Sequence, residues 1–381
     1  MKKITIGIPA FEAENYLPNL LASVQIQTIK DDCVVIISSD SPDRDYSFVK
    51  DLYPGLDIKI LECEKNVGPG LARQKVIDIC KTEWIIFIDA NDILMSPFAL
   101  ESLYNEVERD EKIIEVQGLF YQEIEKGKGP SRLLPITNIN HPSCSGRLYN
   151  VKFLRDYNIR FSGLRAMEDG EFNYKINFIL DGLDLKIKII NAPIYFWKIN
   201  KVNSITQKGI GIEGETPIYN WDLGAIGLTI CAINCVDFCR KYNPNNPFLN
   251  NKIAQLMITQ YLTYLEGHKY RPIFDEQNLF NCRRFYAEIF EEIEENLKDE
   301  LEEIFNESIK NHRISNFSFN IDKTYEDFKD FLSFLKKNKI YSIEEFKEIR
   351  SRLPKWVQEI DAKTKVLGEE GYLYAERDLK K

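Results

Sequence analysis

The sequence predicts an α/β protein, a mostly parallel sheet covered by helices on both faces and followed by a C-terminal α-helical domain. Two patterns carry that expectation. Over the first half, short apolar runs alternate with amphipathic stretches, as strand–helix–strand units require. Past about Gly211 the strand-like runs stop and helical periodicity takes over. With 381 residues, 44% of them hydrophobic and 29% charged, the chain has material for two cores. The expected domains are residues 1–210 and 211–381.

Thr5–Pro9, Cys33–Ser38, Ile58–Leu61 and Trp84–Asp89 read as strands, because each is a short run rich in Ile, Val or Phe. Helical patterns lie between them, near Tyr16–Gln27, Arg44–Leu52 and Gly70–Cys80. Ligands of such sheets gather at the carboxyl ends of the strands. Attention therefore falls on Pro9–Asn15, Ser38–Asp45 and Asp89–Asp92, and on Asn66–Gly70 just before a helix start. From about Gln122 to Pro142 the chain reads as irregular, with turns at Gly127, Gly129 and Pro130. A helix is expected from Glu168, and strands at Lys186–Ile190 and Ile194–Trp197. Trp221–Arg240, Phe248–Glu266, Phe285–Ser308, Tyr325–Lys336 and Ile343–Leu353 all read as helices. In the third of these, Phe285, Ile289, Ile293, Leu297, Leu301 and Phe305 form one apolar stripe opposite an acidic, solvated face.

The net charge of −9 disfavours a broad electrostatic hold on nucleic acid or anionic lipid. Met1–Lys3 runs straight into a strand, so no secretory leader is expected. The longest uncharged stretch, between Asp222 and Asp237, is too short for a bilayer core of about 30 Å. A cytoplasmic protein without a transmembrane segment is expected. The eight cysteines are scattered and are read as reduced thiols. Cys231, Cys235 and Cys239 fall on one helical face, with no fourth ligand at zinc spacing, and read as a buried stripe.

Three local signals carry chemistry. Trp84-Ile-Ile-Phe-Ile-Asp89-Ala90-Asn91-Asp92 is a buried strand ending in two carboxylates and an amide. Hard cations such as Mg²⁺ or Mn²⁺ take oxygen ligands of this kind together with substrate phosphates. The same residues also suit a strand-end turn and a helix N-cap. Glu168-Asp169-Gly170-Glu171 places carboxylates at a helix start, where they serve either the helix dipole or an acceptor proton. Asn66-Val-Gly68-Pro-Gly70-Leu-Ala-Arg73 is a Gly-rich turn before a helix, suited to a phosphate or simply to a turn. Neither GxGxxG nor GKS/GKT is present, so dinucleotide and P-loop chemistry are not indicated.

Taken in order, these pieces resemble the family 2 glycosyltransferases of the GT-A fold. The resemblance runs from Ile4-Thr-Ile-Gly-Ile-Pro9-Ala-Phe11-Glu12 through Asn66-Val-Gly68, Ala72-Arg73 and Phe87-Ile-Asp89-Ala-Asn91-Asp92. It continues through Gly146-Arg147-Leu-Tyr149 and Glu168-Asp169 to Tyr195-Phe-Trp197 and Asn203-Ser-Ile-Thr206, and covers about the first 206 residues. It implies transfer from a nucleotide-diphosphate sugar, a UDP-sugar first, to an acceptor hydroxyl with inversion. Pro9, Phe11, Glu12, Ser39, Asp40 and Asn66 would flank the donor, with Arg73, Asp89 and Ala90 beside it. Asp89, Asn91 and Asp92 would hold Mn²⁺ or Mg²⁺. Asp169 would be the base, with Glu168 next to it, and Arg147 and Lys198 would steady the leaving diphosphate. The acceptor stays open among a glycan, a polymer and a modified DNA base. The C-terminal helices lie outside the resemblance and are expected to shape the acceptor site or a homo-oligomer contact.

Three departures matter. Ser38-Ser39-Asp40-Ser41 stands where the family has paired aspartates, so either Asp40 reads the base from one position along or the base is read differently. Asn91 replaces the usual second aspartate of Asp-x-Asp. The segment Lys198-Ile-Asn-Lys-Val-Asn203 lacks the late histidine of many members. The alternatives are a non-catalytic nucleotide- or sugar-binding protein, a retaining transferase, and a nucleotidyltransferase on the same type of sheet.

Overall fold

The computed structural model describes residues 2–124, 132–136, 143–164, 167–198, 231, 234–255, 258, 300–311, 325–326 and 328–329. The chain divides into two compact units, Met1–Lys208 and Gly209–Lys381.

In the first unit, β1 (Ile4–Ala10) is followed by α1 (Leu17–Gln25), β2 (Cys33–Ser39), α2 (Phe48–Leu52) and β3 (Ile58–Leu61). Then come α3 (Pro69–Ile79), β4 (Trp84–Phe87), β5 (Ile93–Leu94) and α4 (Ala99–Val107). The remainder is β6 (Ile113–Ile124), β7 (Arg132–Ile136), β8 (Arg147–Asn150), α5 (Val151–Asp156), α6 (Glu168–Leu180) and β9 (Lys186–Trp197). The strands form one sheet in the order β3-β2-β1-β4-β8-β6-β9-β5, with β7 paired to β6. β1, β2, β3 and β4 are mutually parallel. β8 enters antiparallel between β4 and β6, and β6 then runs parallel to β9. The expected mostly parallel sheet is thus a mixed one, parallel only through its first four strands and the β6–β9 pair.

Alternation sorts the two faces. Ile4, Ile6, Ile8, Val35, Ile37, Ile86, Val116 and Leu148 pack with Leu17, Leu20 and Leu21 of α1 and Leu100 and Leu103 of α4. On the other face Phe87, Tyr149, Phe161 and Phe172 form an aromatic cluster, with the Phe161 and Phe172 rings stacked at 4.0 Å. That second face carries α3 and α6, and the candidate site lies at its carboxyl-end rim.

Four local expectations change. The Arg44–Leu52 helix shrinks to α2, because Asp45 accepts from the Ser47 N–H and hydroxyl and holds a turn there instead. The stretch from Gln122, expected to be irregular, continues β6 to Ile124 and includes β7, registered from Phe120↔Ile136 to Ile124↔Arg132. Glycine and proline turn signals between two strands mark a connection, and they hid the pairing on either side. Lys186–Ile190 and Ile194–Trp197 are one strand, with a register shift where Leu119 faces Pro193. The Trp84–Asp89 strand ends at Phe87, which leaves Asp89 free to turn.

In the second unit, residues 234–242 and 249–255 are helical, as is α7 (Leu301–Asn311). Leu301, Ile304 and Phe305 form its buried face, and the Phe305 ring lies 5.1 Å from that of Phe328. Cys231, Cys235 and Cys239 are buried. The Ile343–Leu353 helix and most of the expected stripe from Phe285 lie outside the described residues, as does most of the run between Asp222 and Asp237. No helix among the described residues is long and apolar enough to cross a membrane.

Candidate active site

Beyond β4 the chain turns, with the Asp92 N–H donating to the Asp89 carbonyl at 2.9 Å. The hydroxyl of Tyr195 sits inside this turn. It accepts from the Asp89 N–H at 3.1 Å and donates to Asp92 Oδ2 at 2.6 Å. The Lys198 N–H donates to Asp92 Oδ1 at 2.9 Å, and the Asn91 amide reaches the same oxygen at 3.3 Å. Asp92 is therefore buried with both carboxylate oxygens engaged, and it braces the turn against the end of β9. Burial pushes its carboxyl well above the usual range, and the charge of Asp89 adds to that push. Asp89 differs. Its side chain is 43% exposed, Oδ1 meets Arg73, and Oδ2 has no partner among the described residues.

The loop before α3 is held from β2. Asp40 accepts from the Val67 N–H at 2.6 Å and the Gly68 N–H at 2.9 Å, and its carbonyl accepts from the Asn66 amide at 3.2 Å. Both Asp40 oxygens thus face the loop backbone. Gly68 takes φ 87°, a conformation open to glycine, and Pro69 starts the helix. Ser39 is fully buried, with its hydroxyl on the Ser41 carbonyl at 3.2 Å. Ser41 in turn accepts from the Glu12 N–H at 2.8 Å. At this rim Phe11 is 51% exposed, Glu12 is exposed with φ 47°, Pro9 is half-buried and Ala90 is buried.

One turn into α3, Arg73 joins the two acidic clusters. Its Nη2 donates to Asp89 Oδ1 at 2.6 Å and its Nη1 to Glu168 Oε1 at 2.9 Å. Its guanidinium carbon lies 5.7 Å from the centre of the Phe161 ring. Burial alone would lower Arg73, but Asp89, Glu168 and Asp169 together carry it well above its usual value. α6 reaches this point because Gly70 has no side chain. A Cβ there would stand 2.6 Å from the Ser162 carbonyl and 2.9 Å from Glu168 Cγ.

At the start of α6, Met167 takes the left-handed φ of 68° and sets the helix direction. Glu168 is buried, and burial followed by the charge of Asp169 raises it to about 7, against the pull of Arg73. Asp169 is half-buried and accepts from the Gly170 N–H at 2.8 Å. Burial raises it too, opposed first by Arg73. The two acidic clusters, separated by almost eighty positions of sequence, therefore share one guanidinium.

Arg147 is placed differently from expectation. It is 3% exposed and its guanidinium is paired with Glu115, across the β6–β8 register. A side chain so enclosed is a buried partner of the sheet and not an open diphosphate clamp. Lys198 enters through its backbone N–H on Asp92. Sequence reasoning missed the Tyr195 hydroxyl and the Glu115 partner. Each left a signal, a phenol at an apolar strand end and a carboxylate inside Ile113-Ile-Glu-Val, since buried polar groups need partners. Among the described residues, no group of three or more His, Cys, Asp or Glu is placed to hold a metal.

Comparison with known proteins adds relatives. Residues 5–167 match the family model for glycosyl transferase family 2. The glycosyltransferase GlyA of Streptococcus pneumoniae serotype 4 is 24% identical over 222 residues, 52% of this chain and 31% of that protein. The poly(ribitol-phosphate) beta-N-acetylglucosaminyltransferase TarP of Staphylococcus aureus is 33% identical over 109 residues, 28% of this chain and 33% of that protein. The chain thus spans about a third of these curated relatives' length. Among solved structures, S. aureus TarS 1-349 in complex with UDP-GlcNAc superposes with a TM-score of 0.61 at 16% identity, over 90% of this chain and 93% of that one.

Proposed function

From the premise that residues 5–167 form a glycosyl transferase family 2 domain on a GT-A fold, we propose that the chain transfers a sugar from a UDP-sugar to an acceptor hydroxyl with inversion. The observation that carries this reading is Arg73, which ties the open carboxylate of Asp89 to the Glu168 carboxylate at the start of α6, next to Asp169. In that reading the donor lies over the rim formed by Pro9, Phe11, Glu12, Asn66 and Asp89. Asp169, half-buried beside Glu168, takes the proton of the acceptor hydroxyl. The acceptor oxygen forms its bond to the anomeric carbon as the carbon–oxygen bond to phosphate breaks, and that electron pair leaves with the nucleoside diphosphate. General-base assistance of this kind is worth roughly 10²–10⁴ in rate.

The residues fit a divalent cation in one respect. Mg²⁺ and Mn²⁺ sites commonly take one or two carboxylates and complete the shell with phosphate and water. Asp89 Oδ2 is open for such a role with the Asn91 carbonyl beside it in sequence, while Asp92 supports the turn from below. A bound cation would offset the charge that builds on the leaving diphosphate. Ser39 and the inward Asp40 leave base recognition to backbone and hydroxyl groups.

TarS is recorded with UDP-GlcNAc, and TarP is named for poly(ribitol-phosphate). UDP-N-acetylglucosamine and a polyol-phosphate polymer are therefore the first pair to assay. The decisive measurement is a thermal-shift screen of UDP, GDP and CDP and their sugars, with and without Mn²⁺, followed by the anomeric configuration of any product. A nucleotide at about 100 times its Kd should add roughly 2.7 kcal/mol of stability. Silence from every nucleotide would sink the reading, and a retained configuration would remove the single-displacement mechanism.

A further inference from the structure

An arginine fork ordinarily clasps a carboxylate through two parallel N–H bonds, engaging both oxygens. Asp89 receives only one of them, from Nη2 at 2.6 Å. The neighbouring Nη1 is held at 2.9 Å by Glu168, whose side chain is 9% exposed. Nε, the other nitrogen able to complete a clasp, is fully buried and makes no hydrogen bond. Arg73 cannot easily swing, because its own side chain is 6% exposed and Phe161 lies against it. The approach of Glu168 is itself built in, since any side chain at position 70 would meet the Ser162 carbonyl and Glu168 Cγ.

Resting on the transferase reading, we propose that Glu168 is a positioning residue: by occupying Nη1 of Arg73 it stops the guanidinium from clasping both oxygens of Asp89, and so keeps Asp89 Oδ2 open to the cation and diphosphate of the donor. Glu168 then acts on donor binding through Arg73, from the far side of the guanidinium, and the proton of the acceptor goes to Asp169 alone. A base or a plain packing residue in its place would leave cation-dependent donor affinity untouched, or lower it without remedy.

Titration calorimetry with Mn²⁺ and UDP, GDP or CDP in turn, on the full chain, separates these roles. Glu168→Leu frees Nη1, and Mn²⁺-dependent nucleotide affinity should fall roughly tenfold. Adding Arg73→Met removes the fork altogether, and affinity should return to within about threefold of wild type. Recovery by a second loss is a coupling that independent or merely structural roles do not produce. Glu168→Asp keeps the charge but is one methylene too short for Nη1. It should follow Glu168→Leu, and it carries the test if the leucine variant does not fold. Wild-type affinity in Glu168→Asp, or a double variant no better than Glu168→Leu, would overturn the inference. So would a wild-type protein that binds nucleotide with no response to Mn²⁺, and in that case transfer itself would stand. Absence of nucleotide binding in the wild type would instead bring down the transferase reading first.

Discussion

Glu168 and Asp169 are adjacent in the chain, yet their surroundings differ. Glu168 is enclosed and hydrogen-bonded to Arg73, whereas Asp169 is half-buried and bonded to its own helix N-terminus. Asp169→Asn should therefore reduce transfer by roughly 10²–10⁴ while the nucleotide-induced thermal shift survives. Equal loss of both, in a folded protein, would remove Asp169 as the base. Glu168 also predicts a pH dependence of stability. Its carboxyl rises from 4.5 to about 7 on folding, chiefly by burial and next by the charge of Asp169. The native state then holds the proton more tightly than the unfolded chain. The resulting stability is fully present below about pH 4.5 and is lost as pH rises through about 7. Glu168→Gln, which cannot ionise, should flatten this decline when melting temperature is followed across that window. An equally steep decline in the variant would count against the assignment.

At the scale of elements, the site depends on how loops are pinned to strands. The Asn66–Gly68 loop has no side-chain N-cap for α3, and instead its N–H groups point at Asp40 on the end of β2. Hydrogen bonds to a charged group contribute about 1.5–3 kcal/mol each. Asp40→Ala should lower stability by about 2–4 kcal/mol, less than the sum because the freed N–H groups regain water. Chemical denaturation measures this, and an unchanged midpoint would mean that the loop is held by something else. The same element explains a missing expectation. Asp40 stands next to the position where the family has an aspartate, but its direction was decided by two backbone N–H groups that no sequence pattern displays.

For the whole molecule, the first unit contains the entire sheet and both clusters of the site. Its buried residues from β1, β2, β4, α1 and α4 form a continuous core of its own. Residues 1–208 expressed alone should therefore unfold in one cooperative transition and keep the nucleotide-induced shift of the full chain. A non-cooperative melt, or loss of the shift in a folded fragment, would show that the second unit is needed for donor binding.

Apolar alternation was sufficient to find β1, β2, β3 and α3 within a residue or two, and the ordered motifs singled out Asp89 and Glu168, which the fold brings to one guanidinium. Those signals are local, since burial on both faces and helical periodicity are written into neighbouring residues. The direction of β8, the β6–β7 pairing, the inward turn of Asp40 and the enclosure of Arg147 by Glu115 depend on partners far away in the chain. So does the meeting of Arg73 with two carboxylates that lie 16 and 95 positions further along the chain. Composition determines which groups can ionise or ligate, but which oxygen stays open is decided only when tertiary packing shares a limited set of donors among the acceptors within reach.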